Sequence, residues 1–283
     1  MHRPPAPSPR TLARLRAPAV GLALAALAAL ATACVPEPVR WDAPVTVAPG
    51  ALDDTLRLAL GDTGAPRLVP AWTPPAWPDE PGLCVATRRA ARALADTAYA
   101  SWFAVRPDSS VLLRVARSDD DGRTWHPAVS ADTMDAGTDG CARPAPFIAA
   151  DSLSGWLHLA YFLDAREGAG LFFTHTMERG TRFHEPVPIV YGDRPSLAAV
   201  ASRGDTVVVV YEDPNSRLPR LGVAVSRTQG HLFEARQDAT DATGESRAPR
   251  IAVRGTRLAI AWTSSQRGGA WPRTLVRTGT LAW

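Results

Sequence analysis

Short apolar runs separated by turn-forming residues dominate the chain after residue 40. Runs such as AYASWFAV at 98–105 and TVVVVYED at 206–213 are rich in valine and aromatic residues, and glycine, proline, aspartate and serine stand between them. This pattern predicts strands joined by turns. No segment after residue 40 has the spacing of a long amphipathic helix, so the sequence predicts an all-β protein.

The apolar runs recur as a repeating unit of roughly 50 residues. One unit reads PFIAADSLSGWLHLAYFLD at 146–164, and the next reads PSLAAVASRGDTVVVVYED at 195–213. An earlier unit begins with LCVAT at 83–87, and a last one contains PRIAVRGTRLAIAW at 249–262. Each full unit predicts a four-stranded antiparallel sheet.

A fourth strand is missing from the last unit, and a matching segment stands near the start of the chain. WDAPVTV at 41–47 matches FHEPVPI at 183–189 and WHPAV at 125–129. An N-terminal strand that completes a C-terminal sheet is how a β-propeller closes its ring and hides its strand edges. Residues 51–81 supply a degenerate fifth blade or a long loop. Because long loops are uncommon in compact domains, we favour five blades within a range of four to six.

The first 33 residues have the pattern of an export signal. A segment with four arginines precedes an alanine- and leucine-rich run at about 19–31, and small residues lead directly to Cys34. The run is too short to span a bilayer. Small residues before a cysteine resemble the lipobox of bacterial lipoproteins, which implies acylation of Cys34. Ala31 stands where that motif usually has leucine, so ordinary cleavage after Ala33 is the alternative.

These features divide the chain into a signal at 1–33, a tether at 34–40 and a propeller at 41–283. The expected location is the cell envelope, with a lipid anchor to the membrane; a secreted or periplasmic soluble protein is the alternative. The whole chain has a net charge of +3. Since the signal holds four arginines and no acid, the remainder is close to neutral, which argues against a nucleic-acid partner.

Two cysteines remain if Cys34 carries lipid. Cys84 and Cys141 lie in similar stretches about one repeat apart, and disulfides persist in oxidising compartments. A disulfide between neighbouring units is therefore one prediction, and two buried free thiols are the alternative.

The clearest local motif is SDDDGRTW at 118–125. Its residues Ser118, Asp120, Gly122, Thr124 and Trp125 resemble the Asp box, S-x-D-x-G-x-T-W, of the BNR repeats in sialidases and related propellers. Two later units carry eroded versions. Their matching residues are Thr176, Glu178, Gly180 and Phe183 in one, and Ser226, Gly230 and Phe233, with Thr228 in place of the acid, in the other.

The resemblance implies a sialidase-like β-propeller in which this turn joins the third and fourth strands of a blade, away from the active site. Asp120 accepts backbone hydrogen bonds there, Gly122 takes a positive φ, and Trp125 packs between blades. We therefore interpret the box as structural.

A sialidase-type site needs an arginine cluster for the substrate carboxylate, a tyrosine nucleophile assisted by a glutamate, and an aspartate acid/base. Arg143, Arg194 and Arg250 stand near the starts of predicted innermost strands, where they are weak candidates for anion binding. The alternative is that each pairs with an acid or lines a polar loop.

Tyr211, Glu212 and Asp213 are the weak candidates for catalysis. Tyr211 occupies a second-strand position that is aromatic in every unit, as at Tyr161, and a repeated aromatic is more often packed between blades. The histidines show no metal-ligand spacing and no nucleotide motif is present. We therefore expect no metal and no cofactor.

The leading hypothesis is an envelope protein, expected to be monomeric, that binds a glycan or a protein partner. An exo-acting glycoside hydrolase of sialidase type is the first alternative. A structural platform for envelope assembly is the second. Preserved blade scaffolding without a recognisable catalytic set favours the binding protein.

Overall fold

A computed structural model describes residues 37–266 and 271–282. Within these ranges the regular elements are β-strands, apart from one 3-10 turn at Val85–Thr87. The all-β prediction is therefore confirmed. No helix in these ranges is long and apolar enough to cross a membrane. The predicted export signal and Cys34 lie outside the described residues.

The strands are numbered in chain order, and the first four come before the repeated units. They are β1 (Val39–Trp41), β2 (Val45–Pro49), β3 (Leu56–Leu60) and β4 (Pro66–Pro70). The first sheet follows, with β5 (Arg89–Arg92), β6 (Ala98–Val105), β7 (Val111–Ser118) and β8 (Val129–Asp132). The second sheet has β9 (Phe147–Ala150), β10 (Leu157–Ala165), β11 (Gly168–Thr176) and β12 (Val187–Tyr191).

The remaining strands form two more sheets. The third sheet has β13 (Ala198–Arg203), β14 (Thr206–Glu212), β15 (Leu221–Ser226) and β16 (Ala235–Asp238). The fourth has β17 (Gly244–Arg254), β18 (Arg257–Gln266) and β19 (Arg273–Leu281), together with β1 and β2. All pairings within these sheets are antiparallel and follow chain order, apart from those of β1 and β2, while β3 and β4 form a separate hairpin.

The N-terminal segment pairs with the last strand of the chain. Val39 lies opposite Leu281 in the β1–β19 ladder, and Val45 lies opposite Val276 in the β2–β19 ladder. The segment predicted as one strand at 41–47 is thus two short strands with residues 42–44 between them. Both occupy the outer edge of β19, as the match to the fourth strands of other units predicts.

The first strand of the first sheet differs from its prediction. LCVAT at 83–87 is not a strand: Leu83 forms an isolated bridge to Ala104, and a 3-10 turn follows. The pairing strand is β5, which begins at Arg89, six residues beyond the start of the predicted one. Within LCVAT, Cys84 and Thr87 are buried, whereas Val85 is exposed.

Apolar layers separate each pair of neighbouring sheets. Tyr99 and Leu159 belong to the layer between the first and second sheets, and Val208 and Ile260 to the layer between the third and fourth. A further layer joins Leu58 of the hairpin to the fourth sheet. Since both faces of the central strands are covered, runs such as TVVVV are apolar throughout rather than alternating.

The first strands of the four sheets lie side by side in the middle of the molecule. β9 contacts β5 and β13, and β17 contacts β13 and β3. Residues of all five strands line one cavity of about 1080 Å³. The cavity is therefore framed by the four sheets and the hairpin together.

Candidate functional site

Small side chains from all five strands form part of the lining of the central cavity. Each of the five strands contributes an alanine to the lining: Ala59, Ala90, Ala149, Ala201 and Ala252. Larger side chains at these positions would fill the space, as they do in a packed core. The alanines keep a cavity large enough for a small ligand.

Positive charge exceeds negative charge among the described residues that line this cavity. They include four arginines, Arg57, Arg89, Arg92 and Arg250, and a single acid, Asp54. Arg92 is neutralised by an ion pair with Asp121, which lies outside the lining. The remaining positive charge is carried by Arg57 and by the group around Asp54.

Arg89 and Arg250 share the carboxylate of Asp54. Arg250 Nη2 lies 2.8 Å from Asp54 Oδ1, and Arg89 Nη2 lies 3.8 Å from Oδ2. The Asp54 side chain is 70% exposed, so this group marks the place where the cavity meets solvent. We call these three residues the arginine mouth. Two guanidinium groups around one carboxylate leave one positive charge free to interact with a ligand.

The pKa of Arg89 reflects the excess positive charge of the arginine mouth. Burial lowers the pKa of its guanidinium below the usual value, Asp54 opposes the shift, and the nearby charge of Arg250 adds to it. A second carboxylate or a phosphate between the two guanidinium groups would relieve their mutual repulsion. The arginine mouth is thus suited to an anionic group, and guanidinium matches carboxylate geometry well.

A bulge in β17 positions Arg250. The register against β18 shifts between Arg247 and Arg250, and Ala248 has a positive φ of 54°. The buried carboxylate of Glu212 accepts a 2.7 Å hydrogen bond from the Ala248 amide at this bulge. Bulges often redirect side chains next to binding sites. Glu212, predicted as a catalytic candidate, lies here as a support for the strand that carries Arg250.

Hydrogen bonds fix the Arg250 side chain itself. Its Nε donates to the Leu56 carbonyl at 3.1 Å, and its Nη1 donates to the Pro249 carbonyl at 3.0 Å. Arg250 therefore joins β17 to the hairpin and presents Nη2 to Asp54 in one orientation.

The other two predicted anion-binding arginines do not line the cavity as the structure describes it. Arg143 is buried and makes a two-point contact with Asp135, at 2.9 and 2.8 Å, and a third contact with Asp139. Arg194 donates to the carbonyls of Ser216 and Asp213. The three predicted arginines are thus not brought together, and these two stabilise loops.

The other catalytic candidates lie in different surroundings. Asp213 accepts hydrogen bonds from Ser216 Oγ and from the Asn215 amide, which closes a loop after β14. Tyr211 is buried in the apolar layer between the second and third sheets, with its ring against Gly222. Burial, foremost, raises the pKa of its hydroxyl. The Tyr211 hydroxyl is therefore placed for packing rather than for attack on a ligand in the cavity.

Hydrogen bonds to the side chains of Asp120 and Ser118 hold the SDDDGRTW turn. Asp120 Oδ1 accepts from the Thr124 amide at 2.8 Å, and Oδ2 accepts from the Thr124 hydroxyl at 2.6 Å. Ser118 Oγ accepts from the Gly122 amide at 2.8 Å, and Gly122 has a φ of 81°. Trp125 Nε1 donates to the Ala76 carbonyl, which ties the turn to the segment after β4.

A disulfide joins Cys84 to Cys141, with their Cα atoms 5.3 Å apart. Cys84 precedes β5 and Cys141 precedes β9. The bond therefore links the entries to the innermost strands of the first and second sheets.

Three histidines that the sequence leaves scattered come together in space. His175, His184 and His231 each place a ring nitrogen within 4.8 Å of the others. Their spacing along the chain does not match known metal-ligand patterns, so the sequence predicted no metal site. His184 and His231 belong to different repeat units, so only the packing of those units reveals the cluster.

Arg89 and Asp54 are also residues that sequence reasoning missed. RRAAR at 88–92 has no period-two alternation to mark it as a strand, and the more apolar LCVAT was predicted as the first strand in its place. Asp54 lies in the segment whose blade or loop character the sequence left open.

Comparison with known proteins gives no family assignment. No protein-family model and no curated protein matches this sequence. Among solved structures, the chain is similar to a Hadza microbial sialidase, at 16% identity and a TM-score of 0.44, over 66% of this chain and 45% of that one.

Two further solved structures align over more of their own length. One is a protein of unknown function from Dyadobacter fermentans, at 11% identity and a TM-score of 0.47, covering 88% of this chain and 100% of that one. The other is an exo-1,5-alpha-L-arabinanase from a bovine ruminal metagenomic library, at 10% identity and a TM-score of 0.45, covering 84% and 98%. The function is therefore inferred from the residues of this chain.

Proposed function

We propose that this protein is an exported, lipid-anchored β-propeller that binds an acidic glycan at the mouth of its central cavity. The observation that carries the proposal is the pair of guanidinium groups, Arg89 and Arg250, around the single carboxylate of Asp54. A carboxylate-bearing sugar satisfies the excess positive charge with its acid group. Its ring then lies over the alanine-lined walls.

The proposed architecture is a ring of five blades, four with four strands and one reduced to the β3–β4 hairpin. Its support is the side-by-side arrangement of the innermost strands around one cavity. The pairing of β1 and β2 with β19 supplies the fourth strand of the last blade. Such a ring leaves few strand edges open to other chains.

Export is supported by the signal-like first 33 residues and by the Cys84–Cys141 disulfide, since disulfides persist in oxidising compartments. Lipidation rests on Cys34. Intact mass of the membrane-extracted protein should show an acyl adduct at this residue, which Cys34→Ser removes. An unmodified Cys34 in protein that still sits on the membrane would rule out the anchor.

The small number of acids around the cavity favours binding over hydrolysis as the function of this site. A glycoside hydrolase of the usual kind places two carboxyl groups on either side of the scissile bond. Among the described lining residues, Asp54 is the only acid. Tyr211, the tyrosine that a sialidase mechanism would use, is packed between sheets.

Isothermal titration with sialyllactose, and with lactose as the neutral control, tests the proposed binding. We expect sialyllactose to bind, lactose to bind far more weakly, and affinity to fall as salt is added. Arg89→Ala should weaken binding by at least about tenfold, because hydrogen bonds to charged groups contribute about 1.5–3 kcal/mol. Arg89 is replaced rather than Arg250, because Arg250 also hydrogen-bonds to the β3–β4 hairpin and its loss would disturb the fold as well as binding.

Arg203→Ala is the matched control, since Arg203 is exposed and lies outside the cavity lining. Equal affinity for lactose and sialyllactose contradicts the proposal. So does an Arg89→Ala variant that binds sialyllactose as tightly as wild type. Turnover of a fluorogenic sialoside or another aryl glycoside, lost in Asp54→Asn, would establish the hydrolase alternative instead.

A further inference from the structure

The histidine cluster lies where the eroded Asp-box turn of the second sheet meets that of the third. His175 is the last-but-one residue of β11, directly before the turn at 176–183, and His184 directly follows it. The His184 amide donates to the His175 carbonyl at 3.0 Å. The Thr174 hydroxyl donates to the His184 carbonyl at 2.6 Å. The turn thus holds its two flanking histidines face to face, with ring centroids 4.3 Å apart.

His231 reaches the same place from the next turn. Gly230 packs so closely on Phe173 that a Cβ atom there would lie 2.2 Å from the ring. This contact seats the third sheet's turn on β11, and Phe173 and His175 are two residues apart on that strand. The His231 ring then lies 4.8 Å from that of His175 and 5.1 Å from that of His184.

Hydrogen bonding leaves ring nitrogens of the cluster available. His231 Nδ1 lies 2.7 Å from the Thr228 carbonyl, which only accepts, so Nδ1 carries the proton and Nε2 keeps a lone pair. This is the arrangement by which a backbone carbonyl orients metal-binding histidines. His175 Nε2 is buried and has no hydrogen-bond partner among the described residues. A buried nitrogen without a partner is costly, and a bound cation removes that cost.

The chemistry of three imidazoles selects the kind of ion. Imidazole suits zinc, copper, nickel and iron, whereas magnesium and calcium require oxygen ligands. The neutral imidazole is the ligand form, and each of the three rings places one nitrogen within 4.8 Å of the others.

The geometry requires a modest closure of the cluster. A tetrahedral zinc with Zn–N bonds of about 2.0–2.1 Å needs ligand nitrogens roughly 3.3 Å apart. The present separations reach up to 4.8 Å. His184 and His231 are accessible to solvent, so their side chains can rotate towards the buried His175. That access also leaves the fourth coordination position to water.

We propose that His175, His184 and His231 bind one divalent transition-metal ion, with zinc as the ion best suited to them. The ion bridges the two neighbouring turns and so cross-links the second and third sheets. This site is separate from the arginine mouth and does not depend on the glycan proposal, since its residues do not line the central cavity.

Zinc titration of the full chain, purified without a polyhistidine tag and treated with chelator, tests this site. We expect one zinc per chain and a rise in the thermal midpoint with zinc. His184→Ala and His231→Ala should each weaken zinc binding by at least about tenfold, as expected for loss of a metal ligand. His175 is left intact because its burial makes a folding defect hard to separate from lost binding.

His126→Ala is the matched control. His126 holds the position of His184 in the first sheet's turn, but it is exposed and interacts with Asp119. Binding of one zinc by wild type and His126→Ala, lost in the other two variants, supports the site. Visible absorption of a tetrahedral cobalt complex in wild type gives a second readout. Zinc binding that is absent from wild type, or unchanged in His184→Ala and His231→Ala, overturns the proposal.

Discussion

The Asp120 carboxylate accepts four hydrogen bonds in the turn between β7 and β8. The Thr124 hydroxyl contributes most, followed by the Thr124 amide and the Ser118 hydroxyl, and together they hold the pKa of Asp120 well below its usual value. The Arg123 amide adds the fourth, at 3.0 Å. The carboxylate therefore acts as the centre of the turn, and its charge strengthens each bond.

Replacing Asp120 by asparagine should lower the thermal midpoint at pH 7. A carboxylate with a lowered folded-state pKa stabilises the fold above its unfolded pKa of about 3.9, and this contribution disappears as the pH falls below that value. The gap between wild type and Asp120→Asn should therefore narrow below about pH 4. Thermal melts followed by circular dichroism, recorded about every half pH unit from about pH 2.5 to 8, measure the difference in thermal midpoint between the two proteins.

The exposed Asp193 supplies the control for this experiment. Asp193→Asn should melt as wild type does at every pH. The difference in thermal midpoint between Asp120→Asn and wild type could instead stay constant down to about pH 2.5, the lowest pH measured. That result would show that the charge of Asp120 has no part in holding the turn.

At the scale of elements, the turns at 118–125, 176–183 and 226–233 share one backbone conformation even where their side chains differ. Each has two successive residues with positive φ, the second of them a glycine. The pairs are Asp121 and Gly122, Arg179 and Gly180, and Gln229 and Gly230. Each glycine also packs on the preceding unit, against Trp72, Tyr99 and Phe173 respectively. The glycine is therefore retained for two reasons, its conformation and its contact, while the acid is replaceable.

Comparison of Gly230→Ala with Gly204→Ala separates the cost of the backbone conformation from the cost of the contact. Both glycines have positive φ, at 91° and 59°, but a Cβ at Gly204 meets nothing within 4 Å. Gly204→Ala should cost about 1–2 kcal/mol of unfolding free energy from backbone strain alone. Gly230→Ala should cost a further 1–3 kcal/mol, roughly the cost of overpacking, because its Cβ collides with Phe173.

Urea denaturation of both glycine variants gives the two values. Equal losses in Gly230→Ala and Gly204→Ala would mean that the contact with Phe173 adds nothing to the cost of the conformation.

Local signals account for what the sequence predicted well. The strands, the turn at 118–125 and the match of the N-terminal segment to a fourth strand all depend on residues close together in the chain. The arginine mouth and the histidine cluster depend on which sheets are neighbours. Asp54, Arg89 and Arg250 come from three parts of the chain, and no spacing rule joins them. LCVAT misled because its apolar composition is typical of a strand, although only Cys84 and Thr87 of this segment are buried.

At the scale of the whole molecule, the Cys84–Cys141 bond links the entries to the innermost strands of the first and second sheets covalently. It closes a loop of 57 residues. By the loop-entropy relation, such a loop corresponds to about 4 kcal/mol of stability, from restriction of the unfolded chain. Cys141 lies at the surface, so a reductant can reach the bond.

The double variant Cys84→Ala, Cys141→Ala should therefore lose up to about 4 kcal/mol of unfolding free energy. Urea denaturation with and without reductant measures the loss. Reduced wild type should resemble the double variant, and the variant itself should be insensitive to reductant. Wild-type curves that coincide with and without reductant would show that the bond does not stabilise the fold.

The pairing of the N-terminal strands with β19 also sets the order of events during synthesis. The Thr278 hydroxyl donates to Asp42, a residue 236 positions earlier in the chain. A ribosome therefore releases β1 and β2 long before their partner exists, and both wait while β3 to β18 are made. A chain that stops before β19 keeps these strand edges exposed, which invites proteases and aggregation. Synthesis of β19 is thus the step that gives both N-terminal strands a partner.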